Sequence, residues 1–323
     1  MLCYFYVIDT QWWWTKSSCL INSQIWLASL IQDTSEIALL DELLELNCNH
    51  KVHVHLLVKH DSLKLNRDEK KCAPWIVDFE PLELTTKFAN TSDSKEKGGR
   101  IPRISALRKY QRQQLRKLLG QHDVLIVMDV DLLSLGPNGI TLLLKEIQRL
   151  KQQPSSWDAV CAAGVECGNR YYDSYATVLY PDTFVFPRRW RYNASAIGPI
   201  ENSSLILAPR PTEGLLTQVQ LFNHLQSSQR GSNPVQVRSC FGGLAIYRSQ
   251  VYFANECDYQ LENDKPLYNL IKQKYAATHG QVCEHVVLHE CLHQHQQHNN
   301  KFLIGIQPQL QTQYHANGPG VCK

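Results

Sequence analysis

Residues 124–128, Val-Leu-Ile-Val-Met, form an unbroken apolar run that stops abruptly at Asp129-Val130-Asp131. Such a run fits a strand buried on both faces, as in the middle of a parallel sheet. Parallel neighbours need crossover connections, and helix-like segments flank the run at about Arg103–Leu119 and Asn138–Gln152. A strand is also expected at Lys51–Val58, closing in the turn residues His60-Asp61-Ser62. Strand and helix therefore alternate through this half, which predicts an α/β fold with an open sheet. Residues 22–47 carry an apolar stripe at helical spacing, clearest at Leu39, Leu40, Leu43 and Leu44, and predict a further helix. The apolar start Met1–Ile8 predicts a first strand.

The second half is less regular. Trp157–Ala163 predicts a strand, Tyr171–Tyr192 is aromatic-rich and irregular, and Val235–Tyr247 predicts a strand interrupted at Gly242-Gly243. Paired glycines allow either a β-bulge or a close approach of backbone to ligand.

The acidic triplet carries the strongest chemical signal. Ligands of open α/β sheets bind beyond the carboxyl ends of the strands. Residues i and i+2 of a strand point the same way, so Asp129 and Asp131 can converge on one ion. Hard cations such as Mg²⁺ and Mn²⁺ take carboxylate and phosphate oxygens. A nucleotide sugar supplies the phosphates, and a bridging cation neutralises the diphosphate as it leaves. The competing reading is a turn or a helix cap.

Bulk properties narrow the class. A net charge of +3 gives no footprint for nucleic acid. The run Arg108-Lys109-Tyr110-Gln111-Arg112 is expected to be a solvated helix face. No apolar stretch approaches the roughly 20 residues that cross a bilayer, so membrane association is expected only through an anchor preceding this chain. Eleven cysteines without a C-x-x-C, and sequons at Asn90, Asn193 and Asn202, lean toward a secretory lumen.

The order and spacing of several segments resemble GT-A glycosyltransferases similar to the fungal capsule-associated α-1,3-mannosyltransferases and their algal relatives. The segments are Arg103-Ile104-Ser105-Ala106-Leu107, the Asp129/Asp131 strand, Trp157–Cys161, Tyr171-Tyr172-Asp173, Val237–Gly243 and Cys283–His289. The chain departs from that pattern at Gln111-Arg112, where the family has Arg-Asn, and at Phe241-Gly242, where it has Trp-Asn. The resemblance implies one GT-A catalytic domain over residues 1–323. Its nucleotide-sugar half would be 1–135 and its acceptor half 136–323. It also implies retaining, mannosyl-like transfer from a nucleotide-diphosphate sugar to a glycan or glycoprotein in the Golgi or endoplasmic reticulum lumen.

On that reading, Asp61, Arg103, Asp129 and Asp131 face the nucleotide sugar. Asp129, Asp131 and His289 hold Mn²⁺ or Mg²⁺, and Asp173, Gly242 and Gly243 face the acceptor. Glu284, or in second place Asp258, takes the acceptor proton or stabilises the transition state; the alternative for Glu284 is a salt bridge. Two metal readings compete with the transferase. His289-Glu290-Cys291-Leu292-His293 is a literal H-E-x-x-H, although no carboxylate follows Glu290 to complete a zinc-protease site. Cys283, His285, Cys291 and His295 supply the residue types of a structural zinc site.

Overall fold

The computed structural model describes residues 24–31, 40–58, 72–81, 100–129, 132–153, 156–166, 170–171, 176–179, 183–186, 216–228, 233–254, 257–259, 283–295 and 302–314. The elements of the first half are β1 (Ile25–Ile31), α1 (Leu40–Asn49), β2 (His53–Val58), β3 (Trp75–Phe79), α2 (Arg100–Arg116), β4 (Val124–Asp129), β5 (Leu132–Ser134) and α3 (Gly139–Gln152). Those of the second are β6 (Ala159–Glu166), β7 (Arg170–Tyr171), β8 (Val178–Leu179), β9 (Thr183–Phe186), β10 (Leu216–Thr217), α4 (Gln218–Ser228), β11 (Val235–Ser239), β12 (Leu244–Arg248), α5 (Ser249–Tyr252), α6 (Glu284–His295) and β13 (Ile304–Tyr314).

The strands form one mixed sheet in the order β10-β9-β8-β11-β13-β6-β12-β4-β1-β2-β3, with β5 beside β13 and β7 beside β6. Strands β3, β2, β1 and β4 run parallel. Strand β12 joins β4 and β6 antiparallel to both. Strand β4 therefore has neighbours on both edges, and its residues alternate between two cores. Leu125 and Val127 enter the core shared with Leu115 of α2 and Leu288 and Leu292 of α6. Val124, Ile126 and Met128 enter the core shared with Leu43 and Leu46 of α1 and Leu143, Ile147 and Leu150 of α3. Two covered faces explain the unbroken apolar run, each side chain contributing about 1.5–3 kcal/mol of burial. The sheet is mixed and helix-flanked, the α/β architecture expected from the sequence.

Residues 25–31 depart from expectation. They form β1, between β2 and β4, and the helix of that region begins only at Leu40. The apolar stretch Ile25-Trp26-Leu27-Ala28 fits a two-sided strand as well as a helix, and the sheet position decides between them. Ser29 is the polar exception within it, and its hydroxyl donates to the Met128 carbonyl at 2.5 Å. The expected Met1–Ile8 strand lies outside the described residues.

The Val235–Tyr247 segment is two strands, not one bulged strand. Strands β11 and β12 are separated in the sheet by β13 and β6, and Cys240–Gly243 carries the chain past both. Gly242 and Gly243 both have positive φ, 60° and 77°. A Cβ on Gly242 would lie 2.0 Å from the Ala162 carbonyl oxygen, and one on Gly243 2.2 Å from the Tyr314 hydroxyl. The glycines thus turn the backbone and let it press against β6 and β13.

Gly242→Ala is expected to lower the unfolding free energy by about 2–4 kcal/mol, because strain and a backbone clash combine. Urea denaturation measures this, and a change within 0.5 kcal/mol, about the scale of an ordinary surface substitution, would remove the close approach as a constraint.

Candidate active site

Asp129 closes β4 and leaves the core by one step: Met128 is buried, whereas the Asp129 side chain is 33 % exposed. Its N–H donates to the Gly243 carbonyl at 2.8 Å. One carboxylate oxygen, Oδ1, accepts from Arg108 Nη2 at 2.7 Å. The other, Oδ2, accepts from the Tyr314 hydroxyl at 3.2 Å. Strand, helix and the last described strand thus fix the carboxylate together.

Arg108 lies on the inner face of α2, with Gln111 and Arg112, and all three are buried. The solvated face expected for this run is therefore corrected. Gln111 Nε2 donates to the Ser29 carbonyl at 2.8 Å, and Arg112 Nη2 to the Tyr252 carbonyl at 2.7 Å. Gln111 holds the helix against β1 and Arg112 holds it against the end of α5. Burial opposes the Arg108 charge, but the Asp129 carboxylate, with Glu284 also contributing, outweighs it and raises the guanidinium pKa.

Helix α6 brings Glu284 and His285 to the same place. The His285 ring stacks on Phe241 with centroids 3.7 Å apart, and Arg108 lies over the same Phe241 ring at 5.6 Å. Glu284 Oε1 is 3.8 Å from His285 Nε2. A cluster of Asp129, Arg108, Phe241, Glu284 and His285 thus forms around the end of β4.

His289 has no part in that cluster. It is fully buried, with Nδ1 2.9 Å from the Ser239 hydroxyl and Nε2 2.8 Å from the Tyr247 hydroxyl. Ser239 spends its single proton on the Ala176 carbonyl, at 2.8 Å, so it must accept from His289 Nδ1–H. Tyr247 then donates to the Nε2 lone pair, and burial, which pushes the Tyr247 pKa well up, keeps it protonated to do so. Both ring nitrogens are consumed, and burial, with His293 adding to it, holds the imidazole pKa down to about 3. The expected third metal ligand is a hydrogen-bonded core histidine.

Both zinc readings also fail on geometry. Glu290 is paired with Arg238 through Nε and, at 2.7 Å, through Nη2. His293 Nε2 is 2.8 Å from the Arg238 carbonyl, so the H-E-x-x-H face points into packed protein. Cys291 is in a disulfide with Cys257, which removes its thiolate from any zinc site with Cys283, His285 and His295.

The remaining expected residues fall elsewhere. Arg103 Nη2 pairs with Glu80 Oε2 at 2.8 Å, beyond the end of β3. Asp258 pairs with Lys109 at 3.4 Å and accepts from the Tyr259 N–H at 2.7 Å, so it braces α2. Gly242 and Gly243 shape the turn behind Asp129. Asp61, Asp131 and Asp173 lie outside the described residues. Sequence reasoning missed Arg108 and Tyr314; the alternation in 304–314 was the available signal for Tyr314, and the polar α2 offered none for Arg108.

A carboxylate set at the end of a central parallel strand, at the junction with an antiparallel one, stands where open α/β sheets place their ligands. The sequence model of the family described as Cryptococcal mannosyltransferase 1 matches residues 31–291, most of the chain, and the chain belongs to that family. It is a glycosyltransferase and takes a sugar donor and an acceptor. Among solved structures, the chain is similar to the crystal structure of mouse xyloside xylosyltransferase 1 in its apo form. The TM-score is 0.35 at 13 % identity, covering 88 % of this chain and 84 % of the other. No curated protein sequence matches the chain.

Burial, the first cause in each case, lowers the pKa of His285 well below its ordinary value and that of His289 to about 3, so folding keeps both neutral. The unfolded chain protonates them near the ordinary value of 6.5, so it binds more protons below that pH and stability falls on acidification. The loss should approach about 1.4 kcal/mol per pH unit per histidine below roughly pH 6. Urea titrations between pH 7.5 and 5 check this, and a flat profile would contradict the buried neutral state.

Proposed function

We propose that the protein transfers a hexosyl group, mannosyl being the first choice, from a nucleotide-diphosphate sugar to a glycan or glycoprotein hydroxyl. The observation that carries this is the Asp129 carboxylate, fixed at the end of β4 by Arg108 and Tyr314. Its oxygens are partly exposed and of the donor type that hard divalent cations prefer. Asp129, with Asp131, would hold Mn²⁺ or Mg²⁺, which supplies charge neutralisation to the diphosphate. His289 is not part of that set.

In the transfer, the bond from the anomeric carbon to the diphosphate oxygen breaks and a bond to the acceptor oxygen forms. The acceptor proton needs a base. Glu284 flanks Arg108 at the start of α6 and keeps 12 % exposure, whereas Asp258 is engaged by Lys109 and its own loop. Glu284 is therefore the preferred proton acceptor. Three disulfides among the described residues, Cys48–Cys72, Cys161–Cys240 and Cys257–Cys291, support a location in an oxidising lumen such as the Golgi or endoplasmic reticulum.

Asp129→Ala and Asp131→Ala are each expected to remove transfer, and EDTA to remove it reversibly, in an assay with purified protein and a panel of nucleotide sugars. Full activity in EDTA sinks the metal. Glu284→Gln should lower kcat by about 10²–10⁴-fold with little change in donor KM, the range of general acid–base catalysis. A near wild-type kcat would return Glu284 to a purely electrostatic role beside Arg108.

A further inference from the structure

The cluster around Phe241 contains four buried nitrogens without a hydrogen-bond partner among the described residues: Arg108 Nε and Nη1, and His285 Nδ1 and Nε2. Both side chains are almost wholly enclosed, at 2 % and 1 % exposure. Buried polar groups are nearly always paired, and each exception calls for a reason. Loose packing is not the reason here. Gln111 and Arg112 on the same helix face, and His289 one turn along α6, are all matched by partners.

The charges decide what ligand such a site takes. The Arg108 cation is already opposed by Asp129 at 2.7 Å and influenced by Glu284. A phosphate placed here would meet two carboxylates. A hydroxyl adds no charge and both donates and accepts. Arg108 offers two spare N–H groups, a neutral imidazole offers one donor and one lone pair, and Glu284 accepts. Asp129 and Glu284 keep 33 % and 12 % side-chain exposure, so the cluster meets solvent along their side.

Resting on the transferase reading above, we propose that Arg108 and His285 form the subsite that reads hydroxyl groups of the transferred sugar ring, with His285 as a specificity-determining residue. Sites built to hydrogen-bond a substrate hydroxyl discriminate strongly, because a poor substrate leaves their buried groups unpaired.

The test compares binding of a panel of nucleoside diphosphate sugars with that of the matching nucleoside diphosphates, by calorimetry with Mn²⁺ present. For the wild type, one sugar nucleotide should bind about tenfold or more tightly than its nucleoside diphosphate, that is, by at least about one decade in Kd. His285→Leu and His285→Phe should bring that ratio to about one while leaving the diphosphate Kd unchanged. His285→Asn, which keeps a donor and an acceptor, should retain part of it. His285→Phe, which keeps a ring against Phe241, should not melt markedly lower than wild type, because no hydrogen bond is lost with the nitrogens. A wild-type ratio near one, an undiminished ratio in both apolar variants, or a marked fall in Tm in His285→Phe overturns the subsite and leaves the transferase reading standing. If the wild type binds no member of the panel, the transferase reading fails and takes the subsite with it.

Discussion

The ion pair between Arg108 and Asp129 ties helix α2 to the sheet at the end of a strand buried on both faces. Strand β4 has helices over both faces and strands at both edges, so no polar side chain fits along it before its last residue. Asp129 is the first position where charge is tolerated, and the buried guanidinium opposite makes it cheap to hold there. A buried cation left alone is strongly disfavoured. Arg108 therefore needs Asp129 as much as Asp129 needs Arg108, and helix α2, β4 and β13 are fixed in one relation through them.

That relation explains why α2 looks wrong for a buried helix. Its inner face carries Ser105, Arg108, Gln111 and Arg112, where an amphipathic helix would carry leucine. Each of the last three reaches a fixed acceptor: a carboxylate on β4, a carbonyl on β1, a carbonyl after β12. The helix is anchored by directed bonds instead of by area alone, and directed bonds specify position more tightly.

Legibility from sequence followed the same division. The β4 run, α3 and the β2 strand were readable because periodicity and burial agree there. Ile25–Ile31 was misread because a short apolar stretch buried on both sides has no period to report. Arg108 could not be recognised, since a charged residue inside a polar helix looks like a solvated one until its partner, 21 positions later, folds onto it. His289 misled for the opposite reason: a histidine in a motif suggests a ligand, and only the hydroxyls of Ser239 and Tyr247, which sequence spacing does not connect, reveal it as packing.

Strand β13 sits inside the sheet, between β11 and β6, although it is the last described element to leave the ribosome. Until residues 304–314 are synthesised, β6 and β11 each present a bare hydrogen-bonding edge, and Asp129 lacks the Tyr314 hydroxyl. Insertion of this strand closes the sheet and in the same move brings the Tyr314 hydroxyl to Asp129, so the site is complete only when chain segments far apart in sequence have met.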